Sequence, residues 1–312
     1  MHVLVTGATG FVGGHLVPAL LAAGHSVRVL VRNPGEYDGP DGVDVATGDL
    51  LEAGSFDAAL DGVDAAYYLV HSMHAGSDYA ERDRRAARNF RRATDEAGVD
   101  RVVYLGGLGE DDETLSEHLR SRREVEYLLK EGAYDLTTFR AAVIIGAESA
   151  SFRMIRELAT RLPVMVTPRW VRTDCHPIAI DDVVAYLVGV LDSPETAGET
   201  YEIGGPEVLT YAEILRRTGR LMGAGEPRIV PVPVLTPKLS AYWVALMTDV
   251  PTSVARPLIH GLKTPVVADT AAAQAQFGVE LTPFADAVRL ALGDPGGQEA
   301  TRAAAATGGA GR

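Results

Sequence analysis

Thr6-Gly7-Ala8-Thr9-Gly10-Phe11-Val12-Gly13 joins a short apolar run, residues 2–6, to a longer one beginning at Phe11. Three glycines spaced by two residues, between a strand and a helix, answer a specific physical demand. Gly7 permits a tight turn, and Gly10, lacking a Cβ, lets the backbone approach a pyrophosphate. Gly13 lets the helix pack close to the sheet. The helix start then offers free N–H groups and a partial positive charge to phosphate oxygens. Gly7, Thr9, Gly10, Phe11, Val12 and Gly13 are therefore the candidate phosphate-holding residues. A glycine pattern alone is weak evidence; its position after a strand and at the opening of a helix is the confirming context.

Working outward, residues 11–23 place Leu16, Leu20 and Ala23 on one helical face, and Gly24 ends the helix. Residues 26–31 alternate, with Val27, Val29 and Val31 on one side, as a strand does. The same alternation continues with strands over 43–46, 64–70, 101–105 and 135–139. Helices are expected over 55–60, 79–97 and 115–131. Strands alternating with helices imply a parallel sheet covered on both faces. After about residue 145 the rhythm breaks into helical stretches (151–161, 181–191, 211–222, 239–247) separated by prolines. The expected division is residues 1–145 as a dinucleotide-binding domain and 146–292 as a smaller substrate-side lobe, with some elements returning to the sheet. Residues 293–312 are of low complexity and are expected to be a disordered tail.

The second strand bears on the cofactor. An acid at its end would hold a ribose 2′-hydroxyl; here the strand ends Val31-Arg32-Asn33. A guanidinium can pair with a 2′-phosphate that a carboxylate would repel. NADP(H) is therefore expected over NAD(H), with a solvated loop arginine as the plainer alternative. Gly48-Asp49-Leu50 follows the third strand. Asp49 can accept from an adenine amino group or simply hold a turn, and Leu50 lies beside it.

The 312 residues carry 42 acids and 29 bases, a net charge of −13. That balance argues against a nucleic-acid-binding surface, which needs a basic stripe. Cys175 is the sole cysteine, so no intrachain disulfide and no thiolate metal cluster can form. His71 and His74 are three apart with no third ligand in view, so no metal is expected. The N-terminal residues lack the basic region of a signal peptide, and no apolar run reaches the length of a membrane span. A cytoplasmic protein is the expectation.

The TGATGFVG loop, Gly48-Asp49-Leu50, residues 67–73, residues 177–183 and Gly204–Tyr211 together resemble the short-chain dehydrogenase/reductase superfamily. They are most similar to its atypical, NmrA-like group. That group includes nucleoside-diphosphate-sugar-epimerase-like proteins and the NADPH-binding accessory subunit of respiratory complex I. The resemblance implies an α/β fold: a Rossmann-type doubly wound parallel sheet with a smaller C-terminal lobe and the site at the strand ends. It also implies that Val70 and His71, after the fourth strand, lie by the cofactor, as does Arg140 after the sixth; His71 reads equally as a contact to cofactor or substrate or as a loop histidine satisfied by its neighbours.

In active members a tyrosine and a lysine four residues later project from one helix face, and a serine or threonine follows the fifth strand. This chain has His118 and Arg122 at that spacing, and Gly106-Gly107 in place of the hydroxyl. Three readings stay open. His118 is the proton donor, with Arg122 holding the ribose and lowering the histidine pKa; or the helix keeps only a cofactor-holding role; or both residues are ordinary helix-surface groups. Asp181 and Asp182 read as helix N-terminal charges. Arg169, Trp170 and Arg172 form a basic-aromatic cluster in the lobe, suited to an anionic or planar substrate, with a surface turn as the plainer alternative.

The expected function is that of an NADP(H)-binding oxidoreductase or epimerase-like enzyme on an unknown small molecule. The alternatives are a non-catalytic NADPH-binding sensor or complex-support protein, and a quinone- or lipid-handling protein at a membrane surface. The last rests on the apolar stretch 229–262 and allows peripheral membrane or respiratory-complex contact. The arginine-rich helix 79–97 favours a monomer or weak homodimer.

Overall fold

Apolar runs that stop at turn residues become strands, and the amphipathic segments between them become covering helices. The computed structural model describes residues 1–72, 78–109, 116–162, 164–232 and 265–293. In chain order the first half runs β1 (His2–Thr6), α1 (Phe11–Ala22), β2 (Ser26–Val31), β3 (Asp44–Thr47), β4 (Ala65–Tyr68), α2 (Tyr79–Ala97), β5 (Arg101–Gly107), α3 (Glu117–Lys130) and β6 (Asp135–Ala141). The second half runs β7 (Ile144–Ile145), α4 (Ala150–Arg161), β8 (Val164–Pro168), β9 (Asp174–Cys175), β10 (Ile178–Ala179), α5 (Ile180–Gly189), β11 (Thr200–Ile203), β12 (Leu209–Thr210), α6 (Tyr211–Leu221), β13 (Arg228–Val232), α7 (Ala271–Phe277) and α8 (Phe284–Ala291).

The main sheet has seven strands in the order β3-β2-β1-β4-β5-β6-β11. Every pairing in it is parallel. The strand order reverses between β1 and β4, the switch point beside which doubly wound sheets bind ligands at their carboxyl ends. The expected doubly wound parallel sheet is therefore the observed one. Among the described residues, elements from beyond residue 145 return to it: β11 extends the sheet beside β6, α5 packs against α1, and Phe277 of α7 packs on Phe139 and Tyr201.

The alternation of a strand sends successive side chains to opposite faces. Tyr67 packs with Val5, Leu16 and Tyr186 on the α1/α5 face, and its hydroxyl donates to the Leu187 carbonyl at 2.5 Å. Tyr68 points the other way, toward α2 and α3, and meets Phe90 edge-on at 5.1 Å between centroids. On α1 the buried face is Gly13, Leu16, Val17 and Leu20. Ala23 is the exposed C-terminal cap and not part of that face. Helix α2 buries Tyr79, Asp83, Ala86, Ala87, Phe90, Ala93 and Thr94, a helical stripe with one carboxylate in it. Gly98, at φ +67°, closes the helix in the left-handed conformation a side chain resists. The segment 55–60 is a short 3-10 turn over Asp57–Leu60 and not an α-helix; four residues bury too little to hold a full helical turn.

The lobe packs α4, α6 and α8 around Phe152, Ile155, Met165, Ile214, Leu215 and Val288. A capping box at Thr210 and Glu213 fixes the start of α6. Asp182 does more than sit in the first turn of α5. It is buried and accepts from the Thr282 amide (2.9 Å) and hydroxyl (2.7 Å), pinning the segment that leads into α8. The expected helix over 239–247, most of the apolar stretch 229–262, His74 and residues 294–312 lie outside the described residues. Among the described residues no helix is long and apolar enough to cross a membrane.

Candidate functional site

The glycine loop closes over the carboxyl end of β1 under tight steric limits. Gly7 has φ +73°, and a Cβ there would lie 2.9 Å from the Leu69 carbonyl oxygen. A Cβ on Gly13 would come within 2.3 Å of the Gly7 carbonyl oxygen, so its close packing is against the turn itself and not against the sheet. Gly10 takes the N-cap position of α1, and no side chain caps that helix. The first-turn amides are thus left for a ligand. This backbone cradle, with no Cβ in the way, fits the pyrophosphate of a dinucleotide.

Two recesses meet at the cradle. One, of about 440 Å³, is lined by Thr9, Arg32, Asp49, Leu50, Val70 and Arg82, among others. Arg32 is exposed there and pairs with no carboxylate among the described residues. Arg82, from α2, lines the same recess, is likewise exposed and unpaired, and was not singled out by sequence. Other arginines of α2 are committed: Arg84 to Glu81 and Glu124, Arg92 to Asp57 and Glu96. Asp49 accepts the Leu51 amide at 2.9 Å, so it holds a turn while also lining the recess.

The second recess, of about 550 Å³, runs from the same loop between the sheet and the lobe. Its walls are largely apolar: Leu105 and Leu108, Leu119, Met154, Ile155 and Leu215. His118 and Arg122 line it together, as i, i+4 neighbours on one helix face should. Ser116 starts that helix, its hydroxyl accepting from the Leu119 amide. The Arg122 guanidinium donates to the Leu105 carbonyl and lies over the Tyr104 ring, 5.5 Å from its centroid. A Cβ on Gly107 would meet Leu119 Cδ2 at 2.8 Å, so Leu119 occupies the space a hydroxyl-bearing residue would need.

Arg140 lies within β6 and not after it, and its guanidinium is held by the buried Glu126 carboxylate at 2.5 Å. That ion pair accounts for its place without a cofactor contact. Arg172 is exposed in a separate depression beside Glu213 and Arg216, away from the cleft. The side chains of Arg169 and Trp170 lie outside the described residues.

His71 stands where the two recesses join and lines both. Its Nδ1 is 2.7 Å from Asp83 Oδ2, and its Nε2 is 3.1 Å from His118 Nδ1. Asp83 is buried in the α2 stripe; the Ser72 amide donates to it at 2.8 Å and the Ser121 hydroxyl at 3.2 Å. Burial alone would raise the Asp83 pKa, but its hydrogen bond and charge contact with His71 and the bonds from Ser72 outweigh it and lower the pKa. His118 is pushed down to about 3, first by burial, then by the neighbouring His71 and Arg122 charges. The expected effect of Arg122 is present, but burial is the larger cause. Sequence reading reached both histidines and missed Asp83. The available signal was a carboxylate in the apolar stripe of α2, where an unpaired charge is costly.

Residues 7–155 match a family model described as NAD(P)H-binding. The chain is 29% identical over 238 residues to a ceramide reductase of Caulobacter vibrioides, covering 74% of this chain and 73% of that protein. It is 26% identical to the mitochondrial NADH dehydrogenase [ubiquinone] 1 alpha subcomplex subunit 9 of Arabidopsis thaliana, covering 67% of this chain and 55% of that one. In fold it resembles the triphenylmethane reductase of a Citrobacter species, with a TM-score of 0.74 at 20% identity over 94% of this chain and 99% of the other.

Proposed function

We propose that the chain is a member of the atypical short-chain dehydrogenase/reductase group and, on that reading, an NADP(H)-dependent oxidoreductase acting on a largely apolar small molecule. The carrying observation is the continuity of the cleft. The glycine cradle, the His71–His118 pair and the apolar lobe wall line one uninterrupted space. The nicotinamide supplies or takes the hydride when bound.

The chain's own residues do the rest. The loop amides of Gly10, Phe11, Val12 and Gly13 hold the diphosphate, with Gly7 and Thr9 shaping the turn. Arg32, joined by Arg82, holds the adenosine 2′-phosphate, and this is the basis for preferring NADP(H). Asp49, Leu50, Val70 and His71 wall the adenosine side. Arg122 keeps the floor of the catalytic end cationic. The walls from α4 and α6 exclude water and select an apolar body, while His118 handles the proton at the reacting oxygen. A relative named for reducing a ceramide suits such a cleft.

The test is NADPH consumption across a panel of apolar ketones, enones and quinones, with His118→Ala as control. Turnover that depends on His118 supports the reading. Tight NADPH binding with no turnover on any member supports a second one, a cofactor-holding protein of a larger assembly. The replaced Tyr/Lys pair and the likeness to a complex I subunit favour that second reading.

A further inference from the structure

We infer that Asp83, His71 and His118 form a proton relay in which His71 stores the proton and His118 passes it on without ever becoming doubly protonated. The inference deepens the oxidoreductase reading and rests on it for its role in turnover, but not for its existence. The three groups form one continuous run of contacts: carboxylate to Nδ1 of His71 and Nε2 of His71 to Nδ1 of His118, at 2.7 and 3.1 Å. His118 Nε2 has no protein partner among the described residues, and His118 lines the cleft. Asp83 is fixed from two further sides, by the Ser72 amide and the Ser121 hydroxyl.

Two proton arrangements satisfy every bond in this chain. In one, His71 is an imidazolium: Nδ1–H donates to the Asp83 carboxylate and Nε2–H donates to His118 Nδ1, so neutral His118 carries its proton on Nε2, facing the cleft. In the other, His71 is neutral with its proton on Nδ1. His118 then carries its proton on Nδ1, donates it to His71 Nε2, and presents a bare Nε2 to the cleft. One proton separates them.

When hydride addition leaves an anionic oxygen on the substrate, the His118 Nε2–H bond breaks and the oxygen gains that proton. His118 Nδ1 takes the proton from His71 Nε2, and His71 becomes neutral against Asp83. Solvent water returns a proton at Nε2 after product leaves, reversing the chain. In the oxidative direction the bare Nε2 accepts the substrate hydroxyl proton. A half-buried His118 that resists a second proton is compatible with this scheme, because the positive charge stays on His71, where a carboxylate compensates it. Among the described residues, the charged or titratable groups around the cluster also include Tyr68 on β4, Tyr104 on β5, Tyr79 on α2, and Glu117, Arg120 and Arg122 on α3. Asp83 is in this account a positioning residue: it touches neither substrate nor cofactor.

The experiment is nitrogen-15 NMR of histidine side chains in the full-length protein without added cofactor, titrated between mildly acid and mildly alkaline pH. His71→Gln and His118→Gln spectra assign the signals. As pH falls, His71 is expected to gain a second proton while His118 stays neutral and exchanges its Nδ1–H form for its Nε2–H form at the same midpoint. Asp83→Asn is expected to lower that midpoint by about 1 to 3 pH units, since a partner charge at this distance is removed. A second proton on His118 while His71 stays neutral would overturn the relay, as would a His118 tautomer that never changes. The wild-type titration decides even if the Asp83 variant fails to fold. It reads no turnover, so an inactive enzyme with an intact exchange refutes only the oxidoreductase reading.

Discussion

The two recesses that meet at the glycine loop are built on different principles. The recess on the β2–β3 side is made of backbone and exposed cations: a turn that needs glycine at Gly7, Gly10 and Gly13, a helix start without a side-chain cap, and Arg32 and Arg82 at the rim. The opposite side is made of packed side chains: an apolar wall from α4 and α6 facing an Asp–His–His chain anchored on the buried Asp83. The first recess offers a shape set by the glycines and a charge set by Arg32 and Arg82. The second depends on where side chains from α2, α3 and the lobe happen to converge. On the proposed function, binding and chemistry fall to different recesses, and substitutions should divide accordingly.

The sharpest break is Gly13→Val. Its side chain would enter the space of the Gly7 carbonyl, so dinucleotide binding is expected to vanish in titration calorimetry while circular dichroism still reports a folded sheet. His118→Ala should do the opposite, lowering turnover by about 10²–10⁴-fold with NADPH affinity changed only a few-fold. Comparison of kcat with cofactor Kd checks the split. Arg32→Ala, on the binding side alone, should weaken NADPH by about tenfold or more and leave NADH unchanged, since a charge-assisted bond to the 2′-phosphate is worth ~1.5–3 kcal/mol. Equal losses for both cofactors would remove Arg32 from that role.

The smallest effect is on stability. The His118 pKa is lower in the folded protein than its ordinary 6.5, so the unfolded chain binds more protons between about 6.5 and about 3. Stability therefore falls as pH drops through that window. His118→Asn should flatten the slope by about one proton, measured by denaturant unfolding at several pH values.

This division also governs what the sequence made legible. Gly7, Gly10 and Gly13 announce the first recess because a steric requirement of the backbone leaves few residue types possible. The alternation of strand and helix likewise follows from local periodicity, and so does the parallel sheet. His118 and Arg122 could be placed on one helix face by spacing. The carboxylate behind them could not: Asp83 lies 35 residues before His118 in the chain and reaches it only through His71, where α2 packs on α3. Arg140 and Asp182 show the same limit in reverse. Each looked like a site residue or a simple helix charge, and each is held by a contact, to Glu126 or Thr282, that no local pattern signals.

Titration calorimetry of the wild-type chain with NADPH and with NADH tests the central claim most directly. The account predicts saturable binding of NADPH, weaker binding of NADH, and loss of both in Gly13→Val. Absence of heat from either dinucleotide at millimolar concentration would contradict it.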